Sequence, residues 1–582
     1  MAFSRRLPWC LVALFPWMLM DVPSSVALAQ AVPRLVILPA EDVTAEHGMV
    51  VSVSPPASDV GRDVLKAGGT AVDATVATAL ALAVTWPEAG NIGGGGFMMV
   101  WPGKSATPVC VDYRETAPAA ATPDMFVGED KPFTHRMVGT PGTVRGLALA
   151  HQKYGKLPWR DLVLPAEKLA REGFAIDAGL AKSINGVLKT ASEKDFPELR
   201  RVFAPPEGQA EWQTGDRLTQ PDLGKTLARL ADEGPDAFYR GVIAEQLAAE
   251  MKQGGGLITA ADLAGYQAKI RETIRGTYRG HEIYGAPPPS GGGIVLVEML
   301  NILENFELKR PEKGLAWSPE TMHLAIEAMR RAYRDRAEFL GDPDFAKIPP
   351  GLITKDYARK LADGIDRARA TPSESLAGDI KLAGESESTT HFSVVDASGM
   401  AVSNTYTLEY SFGSRVVVRG AGFLLNNEMG DFNQTPGRTD RQGDVGTAPN
   451  VIAPGKRMLS SQCPAFVAKD GKLLLVTGSP GGRAIINTTL CNILQVVDFG
   501  QPVDRAVSAP RFHQGWFPDK VRFEGLSDPL YAGVVEKLEQ MGHTFDRGAA
   551  RQGDAHSIWI DPAGGKLHGA ADRRLGGKAA GY

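Results

Sequence analysis

Apolar and polar positions alternate most legibly in the second half of the chain, where they predict a hairpin. In residues 389–407, TTHFSVVDASGMAVSNTYT, Phe392, Val394 and Val395 lead into Asp396-Ala397-Ser398-Gly399, and Ala401, Val402, Thr405 and Tyr406 lead out. With Ala397-Ser398-Gly399 as a three-residue loop and Gly399 left-handed, Asp396 faces Met400 and every later pair keeps the same sum of residue numbers. Thr389 then lies opposite Thr407, with Cβ atoms about 4.5–5.5 Å apart, close enough for one hydroxyl to bond the other. Further strands are predicted at residues 415–418, 465–468, 473–476 and 557–561. Helical spacing marks residues 57–84 as two helices broken at Gly68-Gly69, and residues 141–154, 165–172 and 319–339 as further helices. A helix-rich first part and a strand-rich second part predict the α+β class.

Composition narrows this picture. At 582 residues the chain exceeds one compact core, and 43% hydrophobic with 22% charged residues describes a globular protein of two lobes or two subunits. Arg5 and Arg6, an apolar run over residues 7–20 and the small residues around Val26-Ala27-Leu28-Ala29 predict a secretory signal peptide over residues 1–29, with a mature chain from about Gln30. The run is shorter than the roughly 20 residues of a spanning helix, so a periplasmic or secreted protein is expected, with no membrane association once the signal is removed. Without Arg5, Arg6 and Asp21, the 63 basic and 67 acidic residues become about 61 and 66, a net charge of about −5 that carries no nucleic-acid footprint. Cys110, Cys463 and Cys491 remain beyond the signal, too few for a disulfide framework. No CxxC, HExxH or GxSxG pattern is present, and the Gly93–Gly96 run lacks the lysine of a phosphate loop, so no metal or cofactor is expected and a close-packed turn is.

Residues 384–388 are short, polar and aperiodic, and they stop abruptly at the predicted strand. Cleavage between Ser388 and Thr389 would free the Thr389 α-amine, so that one residue carries both nucleophile and base. An α-amine titrates near 7.7–8.0 and is in part unprotonated at neutral pH. Taken alone, the segment is better read as an ordinary hairpin with two threonines.

The rest of the chain shifts that balance. The hairpin, with SFGS at Ser411, GFLLNNEMGDF at Gly422, RMLSSQCP at Arg457 and GSPGGRAIINT at Gly478, resembles the γ-glutamyltransferase family of N-terminal nucleophile hydrolases. Upstream the resemblance takes in ASDVGRDVLKAGGTAVDATVATAL from Ala57, PEAGNIGGGGFMMV from Pro87, DYRETAP from Asp112, GTPGTVRG from Gly139 and GAPPPSGG from Gly285. Several motifs in one order are far more specific than any single one. The resemblance implies a four-layer αββα sandwich, two stacked sheets between helical layers. It also implies a large subunit of residues 30–388 and a small subunit of residues 389–582 that form a heterodimer, with Thr389 as nucleophile and Thr407 beside it.

The remaining roles follow from the same resemblance. Gly481 and Gly482, where a predicted strand gives way to a helix, correspond to the oxyanion hole. Arg114 corresponds to the arginine that grips the substrate α-carboxylate, Ser460 and Ser461 to its paired serines, and Glu428 and Asp431 to the receivers of the α-ammonium. Separately these are a glycine turn, a surface arginine, a serine turn and capping acids; jointly they describe a site. Glu409 stands where the family has asparagine and would bring a third carboxylate to the ammonium. Residues 433–456 hold the family's lid position but no aromatic residue, so an aromatic gate does not carry over. The implied activity is hydrolysis of glutathione and other γ-glutamyl amides, with transfer to water, amino acids or dipeptides. A related acylase for glutaryl-type β-lactam side chains and a non-catalytic secreted scaffold are the alternatives. Asp431 speaks against the first, and the set of Thr389, Thr407, Gly481 and Gly482 against the second.

Overall fold

The predicted hairpin lies in the middle of a seven-stranded antiparallel sheet. In the computed structural model, which describes residues 35–582 apart from 104–106, 129–130, 378–381, 384–388, 443 and 549–550, its strands are Thr390–Val395 and Ala401–Thr407. The expected signal peptide and the segment preceding the expected cut lie outside the described residues. Thr390 pairs with Tyr406 and Val395 with Ala401, while the Asp396 N–H donates to the Met400 carbonyl at 3.0 Å. Gly399 takes φ +84°, as the three-residue loop requires. The register therefore has the expected sum. Met49–Ser52 and Lys578–Gly581 extend the sheet on one side of the hairpin, and Gly95–Trp101, Val109–Asp112 and Lys269–Glu272 extend it on the other.

A second seven-stranded sheet orders Val43–Ala45, Leu567–Ala571, His556–Ile560, Lys472–Thr477, Ala465–Lys469, His281–Gly285 and Ile274–Tyr278. Successive side chains of a strand point to opposite faces, and here both faces are covered. Met49, Val51, Phe97, Met99 and Val395 share one core with Tyr284, Phe466, Val476 and Ile558 of the other sheet. Their neighbours Val50, Met98, Val100, Val394 and Val402 pack outward with Ala74, Leu82, Leu147 and Leu162 of helices. On the far side Ile283, Val467 and Leu475 pack with Val295, Leu296, Met329 and Leu490. The chain is a four-layer αββα sandwich. Its strands come from both halves of the sequence, so the division into helix-rich and strand-rich parts is only local.

The helices follow their signals. Residues 57–84 form Pro55–Lys66 and Ala71–Thr85, the second opened by a reciprocal capping box of Thr70 and Asp73 and buried along its entire length. Pro319–Phe339 has the expected bounds, and Thr143–Tyr154 starts two residues after Pro141. Trp159–Glu172 begins earlier than expected and contains Pro165, because the buried face of Leu162, Val163, Ala166 and Ala170 runs across the proline. Residues 415–418 do not form the expected strand. Arg415 has φ +63° and only an isolated bridge joins Val417 to Leu424, while Val416, Val417 and Val418 bury themselves in the helical layer instead. No helix of the described residues is long and apolar enough to cross a membrane.

The glycine run is a place of close backbone approach. A Cβ on Gly96 would lie 2.3 Å from the Thr405 carbonyl oxygen, and one on Gly93 2.1 Å from that of Leu424. Gly186, inside the helix Ala178–Thr190, has open space around it. Gly96→Ala is therefore expected to lower stability by about 1–3 kcal/mol or more, and Gly186→Ala to raise it by roughly 0.5–1 kcal/mol. Thermal unfolding midpoints that move in the same direction for both variants would contradict this packing.

Candidate active site

Thr389 immediately precedes the first strand of the hairpin and Thr407 ends the second, so the register sets them side by side with hydroxyl oxygens 3.4 Å apart. Two contacts fix Thr407. Its Oγ1 accepts the Glu409 N–H at 2.7 Å, a bond made by the left-handed turn at Glu409, φ +81°. Its carbonyl accepts from Asn91 Nδ2 at 2.9 Å. Asn91 also donates to the Ala89 carbonyl and accepts from the Gly94 N–H and the Thr143 hydroxyl, so its amide is fully used in positioning. The left-handed conformation gives a backbone reason for asparagine at position 409, since asparagine tolerates it better than glutamate. On the same hairpin His391 bonds the Thr405 hydroxyl at 2.8 Å, and burial, with His556 nearby, holds it well below its ordinary pKa and neutral.

The second sheet supplies the other half of the site. Lys472–Thr477 ends in a turn where Gly481 has φ +126° and Gly482 φ +53°, conformations that favour glycine, before a single 3-10 turn and the helix Ile485–Val497. A Cβ on Gly481 would also sit 3.1 Å from the Gly553 backbone. The Tyr333 hydroxyl donates to the Arg483 carbonyl and braces the turn from behind.

The charged end is built around Arg114, which is completely buried. Nη1 faces Glu428 at 2.6 Å and Glu115 at 3.6 Å, Nη2 pairs with Asp431 and donates to the Leu459 carbonyl at 3.4 Å, and Nε donates to the Met458 carbonyl at 3.4 Å. The residues expected to bind opposite ends of a substrate thus pair with each other. Burial alone would lower the Arg114 pKa, but the surrounding carboxylates more than reverse this and raise it. Burial raises Glu428 well above the usual carboxylate range, against the pull of Arg114, and Glu115, Asp431 and Glu409 add to the rise. Glu115 is likewise pushed up to about 8 by burial. Ser461 Oγ accepts from Arg336 at 2.8 Å and Ser460 Oγ from the Gln462 N–H at 3.1 Å. From residues 433–456, Asn450 donates to the Asp431 carbonyl and accepts from the Leu459 N–H, tying that segment to both sides of the charged end.

One small cleft collects Arg114, Thr389, Thr407, Glu409, Glu428, Asp431, Ser460, Ser461 and Gly482. Gly481 lies directly before it in the turn. Gln462, Arg483 and Ile485 also line the cleft and carried no signal in the sequence beyond proximity to the serine and glycine motifs. Asn91 was legible only as a polar residue beside the glycine run. In a grouping of metal-ligand types elsewhere, His323, Glu327 and His543, the imidazoles bond each other at 2.8 Å and Glu327 pairs with Arg331 at 2.6 Å.

Residues 57–582 match the family model described as Gamma-glutamyltranspeptidase. A protein of Escherichia coli (strain K12) named Glutathione hydrolase proenzyme is 46% identical over 542 residues, 91% of each chain. Among solved structures, a cephalosporin acylase from Bacillus halodurans superposes with a TM-score of 0.81 at 27% identity, covering 94% of this chain and 99% of its own. A gamma-glutamyltranspeptidase chain from Pseudomonas nitroreducens, complexed with L-DON, gives a TM-score of 0.51 at 39% identity over 55% of this chain and 95% of its own.

The Glu115 environment has a pH signature. An unfolded glutamate releases its proton near pH 4.3, whereas the folded one retains it to about 8, so between these values the folded state binds more protons and stability falls as pH rises. Glu115→Gln lacks that loss. Its thermal midpoint relative to the parent protein should climb between about pH 5 and pH 8, with a free-energy difference on the order of a few kcal/mol across the window. A difference that stayed flat or fell would place the Glu115 carboxyl in a different charge state.

Proposed function

The chain belongs to the gamma-glutamyltranspeptidase family, and from that premise we propose that it cuts itself before Thr389 and then acts as a γ-glutamyltransferase on glutathione and other γ-glutamyl amides. The observation that carries this reading is the single cleft in which a threonine pair, a glycine turn and the Arg114–Glu428–Asp431 cluster meet. A γ-glutamyl group is a zwitterion at its α end. Its ammonium takes the places of the guanidinium at Glu428 and Asp431, and its carboxylate takes the freed face of Arg114 with the Ser460 and Ser461 hydroxyls.

That exchange leaves the γ-carbonyl at Thr389. Thr389 Oγ1 attacks the carbonyl carbon, its own α-amine accepts the hydroxyl proton, and the N–H groups of Gly481 and Gly482 hold the oxyanion. Collapse breaks the C–N bond, and the leaving amine takes the proton back. Water, or the amine of an amino acid or dipeptide, then attacks the γ-glutamyl ester and regenerates Thr389. Thr407 orients the nucleophile through the contact between the hydroxyls. In the uncut chain the Thr389 nitrogen is an amide; the same hydroxyl attacks the Ser388 carbonyl, and the C–N bond breaks as the acyl group passes to Oγ1 and the hydroxyl proton to the freed amine. Water hydrolyses the resulting ester to open the chain into residues 30–388 and 389–582, which remain together as a heterodimer. The proenzyme name of the E. coli relative supports processing. So does the P. nitroreducens chain, nearly all of which is matched by 55% of this sequence. The signal-like start of the chain supports export to the periplasm or beyond.

The acylase reading draws on the Bacillus halodurans likeness. A glutaryl chain has no ammonium, however, and would leave Glu428 and Asp431 without a cation once its carboxylate claimed Arg114. Hydrolysis of a γ-glutamyl anilide by the purified protein, accelerated by glycylglycine, is the direct test. Turnover of a glutaryl amide without turnover of the γ-glutamyl anilide would favour the acylase.

Two variants probe separate steps. Thr389→Ala should remain one polypeptide without activity, and the small fragment of the parent protein should begin at Thr389; any other N-terminus refutes the nucleophile. Arg114→Ala or Asp431→Ala should still cut but lose roughly 2–4 kcal/mol of transition-state binding, about 30- to 1,000-fold in kcat/KM. Unchanged kcat/KM would mean that the substrate binds elsewhere.

A further inference from the structure

The Gln462 side chain has no part in the steps above. Gln462 lines the cleft, is 2% exposed, and neither its Oε1 nor its Nε2 has a hydrogen-bond partner among the described residues. Its backbone, by contrast, is firmly held. The N–H donates to Ser460 Oγ at 3.1 Å, and the carbonyl accepts from Ser290 Oγ at 2.5 Å. Gly292 packs so closely behind that a Cβ there would lie 2.3 Å from the same carbonyl oxygen. The amide therefore has a fixed starting point. Burying a primary amide with neither end paired is destabilising, and an apolar side chain of equal length would remove the penalty.

The course of the chain locates this amide along the cleft. The Met458 and Leu459 carbonyls touch Arg114 at the charged end, and the Cys463 carbonyl accepts from Thr489, on the helix that follows the glycine turn, at 3.3 Å. The segment thus runs from the zwitterion end to the end where the acyl bond breaks. Ser460 and Ser461 lie nearer in the chain to the first and Gln462 nearer to the second. An unpaired donor and an unpaired acceptor on one planar group match a ligand with the same two functions side by side. A carboxylate would satisfy Nε2 but set a charged oxygen against Oε1.

We propose that Gln462 is a specificity-determining residue that reads a peptide amide in the leaving group, and in the acceptor that later replaces it. Oε1 accepts the N–H of the residue that departs or attacks, and Nε2 donates to that residue's own carbonyl, the first carbonyl of the dipeptide, because an extended residue presents these two groups on one side. This rests on the γ-glutamyltransferase reading and adds to it a preference for dipeptides over amines without a peptide bond at the departing side.

The test compares the matured parent enzyme with Gln462→Met, on glutathione, whose leaving group is a dipeptide, and on L-glutamine, whose leaving group is ammonia. The ratio of kcat/KM for glutathione to that for L-glutamine should fall about tenfold in the variant. Activation by glycylglycine relative to glycine should fall in the same direction. The thermal midpoint of the variant should equal or exceed that of the parent, because a penalty has been removed. A ratio like the parent's overturns the proposal: if both activities drop together the amide serves the γ-glutamyl group, and if neither changes it serves no ligand. A lowered midpoint also counts against it, since it would mean that the amide has a protein partner. Failure of the parent enzyme on both substrates would sink the transferase reading itself.

Discussion

The register of one hairpin is the constraint on which the candidate site depends. Slipping Thr390–Val395 by a single residue against Ala401–Thr407 would turn every side chain to the opposite face. Both faces are packed, so a slip would drive Val394 and Val402 out of the helical layer and also break the ties between the sheets. Those ties are polar and specific. Ser393 donates to the His556 carbonyl at 2.8 Å, and Ser403 donates to the Thr477 carbonyl at 2.9 Å while accepting from the Ala465 N–H. The hairpin that places the two threonines therefore also fixes where the strand leading to the glycine turn must end.

Electrostatics imposes a second condition. Arg114 lies out of water with Glu115 and Glu428, while Asp431 is only partly buried, and much of the cost of burying charge is met during folding, where mutual pairing offsets it. A ligand with one positive and one negative group can replace those pairings one for one. A ligand with a single charge strands a buried ion, which discriminates against it more strongly than a lost contact would. On the proposed reading, selectivity for an α-amino acid end would be set by the fold before any substrate arrives.

What could be read from the sequence was what depends on local spacing. The hairpin register followed from a loop of three residues ending in Gly399, and the paired helices followed from Gly68-Gly69. Three consecutive valines at 416–418 carry strong β-propensity, yet tertiary packing overrode it and a left-handed Arg415 blocked the extended form. The pairing of Arg114 with Glu428 joins residues more than three hundred positions apart, so charge type was legible and partnership was not. Asn91 and Gln462 look alike as isolated polar residues beside motifs. Only their surroundings separate an amide whose hydrogen bonds are all made from one whose bonds are not.

The strands on either side of a cut before Thr389 are interleaved rather than adjacent. Thr390–Val395 is paired with Met49–Ser52, Ala401–Thr407 with Gly95–Trp101, Lys578–Gly581 with Met49–Ser52, and Ala465–Lys469 with His281–Gly285. Two polypeptides so woven would share all three hydrophobic cores of the sandwich and the hydrogen-bond ladders of both sheets, with no surface along which they could part intact. Separating them would require melting the sandwich. Their association would then show no ordinary dilution equilibrium, and the halves, once apart, would lack the partner strands needed to refold alone.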